Sequence, residues 1–330
     1  MAGLLFSLVD PDDYKTGSDA LKTAKSCADN GADLILIGGS IGIQGEMLDE
    51  LTKNIKESVD VPVVLFPGNI ATLSKYADAV YFMSLLNARN PYWITQAQML
   101  AAPVIRSLKI EALPVGYIIV HPGGTVGWVG DANLVPREKP KIAASLAMAG
   151  EYLGNRFIIT DTGSNPKQQG SGPIPKEMIR MVKSVIDVPY IVAGGISTLD
   201  NVRDAYQSGA DIVQIGTAFQ NDNDVSKTAK LFADIAKDEG QKKLKNGTLE
   251  QILSIYKEKR ILQVFSSYYN VGSIYVEDVL IGSGIDPKAK IDTINLENIK
   301  KIDSAFREIF HNNQINIEFI LFIFTEYIIS

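Results

Sequence analysis

Very little in this chain can hold a soft metal or form a crosslink. Its 330 residues include one cysteine, Cys27, and two histidines, His121 and His311. A single thiol excludes an internal disulfide and any cysteine-rich metal site, and it fits a reducing cytoplasm. Positive charge is also in short supply: 32 Lys and Arg stand against 38 Asp and Glu, a net charge of −6. Binding a phosphate backbone needs a basic face, and no such stripe is visible, so nucleic acid is set aside as a partner. Long apolar runs are missing too. The last one, Ile317 to Ile329, is short and interrupted by Glu318 and Glu326. A membrane span takes about 20 apolar residues, so a transmembrane helix is rejected. No signal peptide precedes the opening run Leu4-Leu5-Phe6-Ser7-Leu8-Val9, and a cytoplasmic protein is expected.

What the chain does have is a repeated alternation of strand and helix signals. Runs apolar on both faces, as parallel strands covered by helices should be, fall at Leu4 to Val9, Leu34 to Ile37, Val63 to Phe66, Ala79 to Phe82, Val115 to Val120, Phe157 to Thr160, Tyr190 to Ala193 and Ile212 to Ile215. Helical patterns fit Asp19 to Asn30, Glu46 to Ser58, Tyr92 to Lys109, Pro140 to Tyr152, Pro175 to Val185, Thr198 to Gln207 and Val225 to Lys237. The crossover Asn69 to Ala77 is short and reads as irregular. An internal echo supports a repeating unit: Gly31-Ala32-Asp33-Leu34 returns as Gly209-Ala210-Asp211-Ile212, and more weakly as Ala77-Asp78-Ala79. Eight such units predict an α/β fold, the TIM (β/α)8 barrel, over residues 1–238, with a C-terminal extension over 239–330. A doubly wound open sheet is the structural alternative.

In such a barrel, chemistry collects at the strand C-termini. Strands seven and eight end in Gly194-Gly195 and Gly216-Thr217. Without a Cβ the backbone approaches an anion closely, and amides at a turn or helix start point toward it, so these two adjacent ends read as a phosphate cup. Asp10 ends strand one and faces the cup across the mouth. A carboxylate there suggests Mg²⁺, which uses one or two protein oxygens plus substrate phosphates, and Ser40 is a candidate second oxygen. Asp12 reads as the cap of the following helix. Asp161, ending strand six beside the cup, is placed to bind a substrate hydroxyl or take its proton, or else to hold the amides of Gly163 and Ser164. His121, ending strand five, reads as orienting its loop. Phe66, Phe82, Leu85, Leu86, Tyr92, Trp93 and Tyr117 crowd the same mouth and suit a substrate with a hydrocarbon tail, although each alone is compatible with ordinary packing.

Several of these runs together resemble a known family. Leu8-Val9-Asp10-Pro11-Asp12, Gly38-Gly39-Ser40, Phe66-Pro67-Gly68-Asn69, the segment Ser84 to Trp93, the segment Pro122 to Asp131, Pro136-Arg137, Gly194-Gly195-Ile196 and Gly216-Thr217 occur in order and with the spacing of the archaeal geranylgeranylglyceryl phosphate synthases. The resemblance covers about Leu4 to Gln220. It implies a TIM barrel that joins sn-glycerol 1-phosphate to geranylgeranyl diphosphate, a prenyl diphosphate, releasing pyrophosphate with Mg²⁺ in the making of archaeal membrane lipids. By that likeness Asp10 and Ser40 hold the metal, Ile159-Thr160-Asp161-Thr162-Gly163-Ser164-Asn165 with Gly194, Gly195, Gly216 and Thr217 hold the glycerol phosphate, and Asp161 orients or deprotonates its hydroxyl. It also implies self-association through barrel helices and a product that partitions to the membrane. The chain departs from the family where Tyr-Leu-Glu-Ala-Gly-Ser-Gly is usual: Asp161 keeps the acid on a shorter arm, and Ile159 lacks the hydroxyl and aromatic wall of tyrosine. His121 replaces an acid. The short helical segment that usually precedes the first strand is missing, which predicts a barrel bottom with no plug.

The extension carries helical periodicity at Thr248 to Arg260 and along Leu296 to Phe310, but no known module. Two other functions share the phosphate cup. One is a phosphosugar isomerase or lyase, the other a non-catalytic phosphate-ligand binding protein. An isomerase of the histidine-pathway type would want acids ending both strands one and five, and strand five ends in His121.

Overall fold

In the computed structural model, eight parallel strands close on themselves in sequence order, with β1 pairing to both β2 and β8. The structure describes residues 3–39, 43–220 and 222–245, and of the remainder 261–262, 265, 273–290, 293–295, 297–302 and 304. The strands are β1 (Leu4–Val9), β2 (Leu34–Ile37), β3 (Val63–Leu65), β4 (Ala79–Leu85), β5 (Glu111–Ile119), β6 (Phe157–Asp161), β7 (Tyr190–Ala193) and β8 (Ile212–Ile215). This is the expected TIM barrel, and the direct pairing of β1 with β8 rules out an open sheet.

Helices α1 (Gly17–Asp29), α2 (Glu46–Ser58), α3 (Gln96–Leu108), α4 (Gly124–Val129), α5 (Pro140–Tyr152), α6 (Lys176–Lys183), α7 (Leu199–Ser208), α8 (Thr217–Gln220) and α9 (Val225–Lys245) follow in order. Three differ from the sequence pattern, the short α8 among them, which was not expected. The stretch Tyr92 to Lys109 splits, because Asn90 caps a separate 3₁₀ turn at Pro91–Trp93 by accepting from the Tyr92 amide at 2.9 Å. Helix α4 was not expected at all, since Gly124 and Gly127 lower helix propensity. The crossover over residues 69–77 has no regular helix, as its length suggested.

Strand side chains alternate. Leu5, Val9, Ile35, Ile37, Val192 and Val213 face outward into a continuous apolar layer beneath the helices. Their alternates fill the barrel. Leu4, Leu34, Phe157 and Ile212 are all buried at the strand starts, so strand side chains fill the lower end of the barrel. Higher up, Phe66 meets Tyr81 and Tyr117 edge-on, at 5.3 and 5.6 Å between ring centroids.

The internal echo has a physical cause. Asp33, just before β2, accepts from the Leu5 amide of β1 at 2.8 Å. Asp78, before β4, accepts from Val63 of β3 at 2.8 Å, and Asp211, before β8, accepts from Tyr190 of β7 at 3.0 Å. Each carboxylate thus satisfies an amide at the start of the preceding strand, a donor that would otherwise be buried unpaired. Gly31 and Gly209, at φ of 100° and 126°, supply the left-handed helix exits that set up two of the three.

The chain divides into two compact units between Glu239 and Gly240. In the second, α10 (Ser273–Gly282), which the sequence pattern did not suggest, buries Val276 and Leu280 one helical turn apart. Residues 297–302 are helical and bury Ile299 and Ile302, in keeping with the first turns of the pattern at Leu296 to Phe310. The pattern at Thr248 to Arg260, the rest of the one starting at Leu296, and the run Ile317 to Ile329 lie outside the described residues. Among the described residues no helix is long and apolar enough to cross a membrane.

Candidate active site

Two cavities open at the C-terminal ends of the strands. The larger, about 660 Å³, is lined by Asp10, Asp161, Gly163, Ser164, Asn165, Gly194, Gly195, Gln214, Gly216 and Thr217 among others. It therefore joins the carboxylate of β1 to the loops of β6, β7 and β8. The smaller, about 100 Å³, is apolar and lies beyond β3 and β4, between Pro67, Phe82, Leu85, Trp93, Tyr117 and Val129.

Asp10 leaves β1 as the N-cap of the 3₁₀ turn Pro11–Asp13, accepting weakly from the Asp12 amide at 3.4 Å. Asp12 caps nothing; Thr16 caps α1, accepting from Asp19 at 3.2 Å. Burial first, then the charges of Asp13 and Asp12, push the Asp10 carboxyl from its ordinary 3.8 up to about 6. Such a site has excess negative charge facing a cavity, and a cation is what would relieve it. Among the described residues no group of three or more His, Cys, Asp or Glu is arranged to hold a metal. That donor set does not suit a closed protein cage. It does suit Mg²⁺ held by a single carboxylate and the oxygens of a bound phosphate ester. Ser40 lies outside the described residues.

Asp161 is held far more tightly. The Tyr117 hydroxyl donates to its Oδ2 at 2.7 Å, and the Gly163 amide donates to its Oδ1 at 2.6 Å. Burial raises its pKa, while these two hydrogen bonds act the other way. Burial and then the neighbouring carboxylate raise Tyr117 well above its ordinary range, so its hydroxyl stays protonated and keeps donating. Tyr117 and Ile159 are register partners on β5 and β6. The hydroxyl that Ile159 lacks is thus present one strand away.

Other members of the β6 run do not reach the larger cavity. Thr160 faces outward, its hydroxyl 2.6 Å from that of Tyr190, and Ile159 lies one layer deeper than Asp161, fully buried. Thr162 is also buried, its Oγ1 pressed beneath Gly194. Strand alternation accounts for this: inside the barrel only every second residue of β6 points to the axis, and the loop beyond turns Gly163 to Asn165 back over the cavity.

The glycines after β7 are required. Gly194 and Gly195 have φ of 82° and 71°, a region closed to most side chains. A Cβ on Gly194 would sit 2.4 Å from Asp161 Oδ1, and one on Gly195 2.5 Å from Pro166. Gly216 is milder, with the Leu8 carbonyl at 3.3 Å and no positive φ.

Three residues matter more than the sequence suggested. Arg137 donates to the carbonyls of Gly172 and Pro173, at 2.9 and 2.6 Å, and so anchors the β6–α6 loop that backs Gly195. Asn87 is buried in the signature segment Ser84 to Trp93, where it donates to Ile119 and Asn133 and accepts from the Ile119 amide, so this part of the signature is structural. Gln214, on β8, lines the larger cavity; a lone amide in an apolar strand was the available signal. His121 is exposed, and its backbone N–H, donating to the Val135 carbonyl at 3.0 Å, ties the loop. Of the aromatic and apolar mouth, Phe82, Leu85, Trp93 and Tyr117 line the smaller cavity, while Tyr92 stacks on Trp93 and Phe66 lies in the barrel interior.

The profile of the PcrB family matches residues 5–234. The chain is 50% identical over 232 residues to geranylgeranylglyceryl phosphate synthase of Pyrococcus abyssi, covering 70% of this chain and 90% of that protein. It is 48% identical over 234 residues to the same-named protein of Methanobrevibacter smithii, covering 70% and 91%. The crystal structure of (S)-3-O-geranylgeranylglyceryl phosphate synthase from Thermoplasma acidophilum in complex with sn-glycerol-1-phosphate superposes with a TM-score of 0.67 at 34% identity, over 71% of this chain and 93% of that one. A Thermoplasma volcanium GGGPS gives 0.68 at 33% identity, over 72% and 93%. With its barrel matched almost end to end by these synthases, the chain belongs to the PcrB family.

Proposed function

We propose that this barrel is a prenyltransferase that joins sn-glycerol 1-phosphate to geranylgeranyl diphosphate in membrane lipid synthesis. One observation carries the reading: Asp10 from β1, Asp161 from β6 and the glycine turns after β7 and β8 open on one cavity, with an apolar cavity beside it. The relatives' names point the same way.

In this reading the phosphate of the acceptor sits against the backbone of Gly163, Ser164, Asn165, Gly194, Gly195, Gly216 and Thr217. The C3 hydroxyl reaches Asp161, whose carboxylate is immobilised by Tyr117 and Gly163 and is a better proton acceptor for being buried. The hydroxyl oxygen bonds to C1 of the prenyl group as the C1–O bond to diphosphate breaks. Pyrophosphate leaves with the bonding pair, and the hydroxyl proton passes to Asp161. Asp10, together with Ser40, would hold Mg²⁺. When bound, that ion neutralises the charge gathering on the leaving group. Phe82, Leu85 and Trp93 exclude water from the first part of the tail, protecting the allylic centre from hydrolysis.

The test is to incubate the purified chain with radiolabelled sn-glycerol 1-phosphate and prenyl diphosphates of several lengths, with and without Mg²⁺. Organic-soluble label that depends on Mg²⁺ is the expected result; none from any length would remove the reading. An isomerase is disfavoured because β5 ends in the exposed His121 rather than an acid.

A further inference from the structure

At the floor of the larger cavity three residues form one row. Asp161, Ala193 and Gln214 are register partners across β6, β7 and β8, and all three line the cavity. Two residues further along each strand stands a glycine, namely Gly163, Gly195 or Gly216. The row therefore lies directly beneath the glycine cup. Ala193 in the middle is small, which leaves open space between two polar side chains whose backbones are two strand spacings, about 10 Å, apart.

Asp161 is committed to Tyr117 and Gly163 on one side of that space. Gln214, on the other side, is only 3% exposed, and its Oε1 has no hydrogen-bond partner among the described residues. Buried carbonyl oxygens are almost always satisfied, and one left bare in a cavity wall is stabilised only when a donor arrives. A cavity whose roof is shaped for phosphate and whose floor carries an unmet amide calls for a phosphorylated polyol.

We infer that Gln214 is a specificity-determining residue that hydrogen-bonds the non-reacting C2 hydroxyl of the glycerol phosphate. The inference rests on the glycerol phosphate reading of the cavity and deepens it. With the phosphate in the cup and the C3 hydroxyl on Asp161, the C2 hydroxyl is the group left for the opposite wall. A hydroxyl both donates and accepts, so either face of the Gln214 amide serves it. Three separate attachments, at phosphate, Asp161 and Gln214, also fix the handedness of the glycerol carbon chain. No neutral apolar residue at position 214 supplies the third.

The test compares two ligands on two proteins by calorimetry: sn-glycerol 1-phosphate and 1,3-propanediol monophosphate, which lacks the C2 hydroxyl, on the full wild-type chain and on Gln214→Leu. Wild type should prefer glycerol phosphate by about 10- to 100-fold, the effect of stranding one buried neutral hydrogen-bonding group. The variant should bind the two ligands within about twofold of each other, with its affinity for the propanediol ester close to the wild-type value. Gln214→Met, of similar length, repeats the comparison should leucine lower the melting temperature. A wild type without the preference, a variant that retains it, or a variant that loses both ligands equally overturns the assignment.

The same preparations assayed for ether product separate this inference from the one beneath it. Discrimination at Gln214 with no product from any prenyl diphosphate sinks the transferase reading alone. Product formation without discrimination sinks the Gln214 assignment alone. No binding of glycerol phosphate to wild type removes both.

Discussion

Asp10 and Asp161 are two carboxylates of one cavity, and burial raises the pKa of both, yet they are held in opposite ways. Asp161 has a donor on each oxygen, at 2.7 and 2.6 Å, and a glycine packed against it. Asp10 has one long contact to its own turn and two like charges for neighbours. The first is a preorganised group, suited to orienting a hydroxyl in a single direction. The second is a charge whose surroundings are incomplete until a counter-ion arrives. The same residue type thus stands in two environments, set by what the adjacent strands place beside it.

The sharpest way to break this contrast is Asp10→Asn. Turnover with Mg²⁺ should fall about a thousandfold, the worth of several kcal/mol of charge neutralisation, while the melting temperature holds or rises because a repelling charge is gone. Initial rates and a thermal melt on one preparation check both halves. Undiminished turnover would remove Asp10 as a metal ligand.

Asp161→Asn should cost about a hundredfold in kcat, the low end for a positioned proton acceptor. Tyr117→Phe leaves Asp161 Oδ2 without its donor, a loss of about 1–3 kcal/mol in stability by denaturant titration, with a smaller fall in kcat. Equal stability in the two proteins would mean that water replaces the phenol.

Glycine substitutions sharpen the difference between the loops. Gly194→Ala meets Asp161 at 2.4 Å and a φ of 82°, and should lose about 1–2 kcal/mol for the backbone alone. Gly216→Ala meets only the Leu8 carbonyl at 3.3 Å and should lose less. Melting curves that rank them the other way would overturn the close approach at Gly194.

The smallest effect is with pH. Asp10 is raised from 3.8 to about 6, so the folded state favours its protonated form. Its cost to folding is absent below pH 3.8, grows through the window, and is complete above pH 6. Without Mg²⁺, wild type and Asp10→Asn should therefore have similar stabilities at pH 3.5 and diverge toward pH 6.5, with the variant the more stable. Urea titrations across that range decide it; parallel curves would place the Asp10 carboxyl in solvent.

These contrasts also mark how far the sequence could be read. All eight strands were legible because each carries an apolar run, and most give way to Gly, Asp or Pro, as at Asp10, Gly38, Asp161, Gly194 and Gly216. Their ends were less so: β4 runs on to Leu85 and β5 begins at Glu111, since polar Ser84 and Pro114 disguise residues that still pair across the two strands. The positions of Asp10, Asp161 and the glycine turns followed from topology alone. Side-chain direction did not, so Thr160 and Ile159 were grouped with Asp161 although alternation takes them elsewhere. Arg137 acts through carbonyls distant in the chain, and Gln214 faces a cavity whose other walls come from β1, β6 and β7; only the closed barrel brings these together.

Tyr117 lines the smaller cavity and, through Asp161, touches the wall of the larger one. Its ring is part of the wall against which an oily chain would lie, and its hydroxyl grips the acid that faces the polyol. A prenyl chain that shifted that ring would move the hydroxyl that holds Asp161. Thermodynamic reciprocity would then require any help the prenyl chain gave the acceptor to be returned in equal measure.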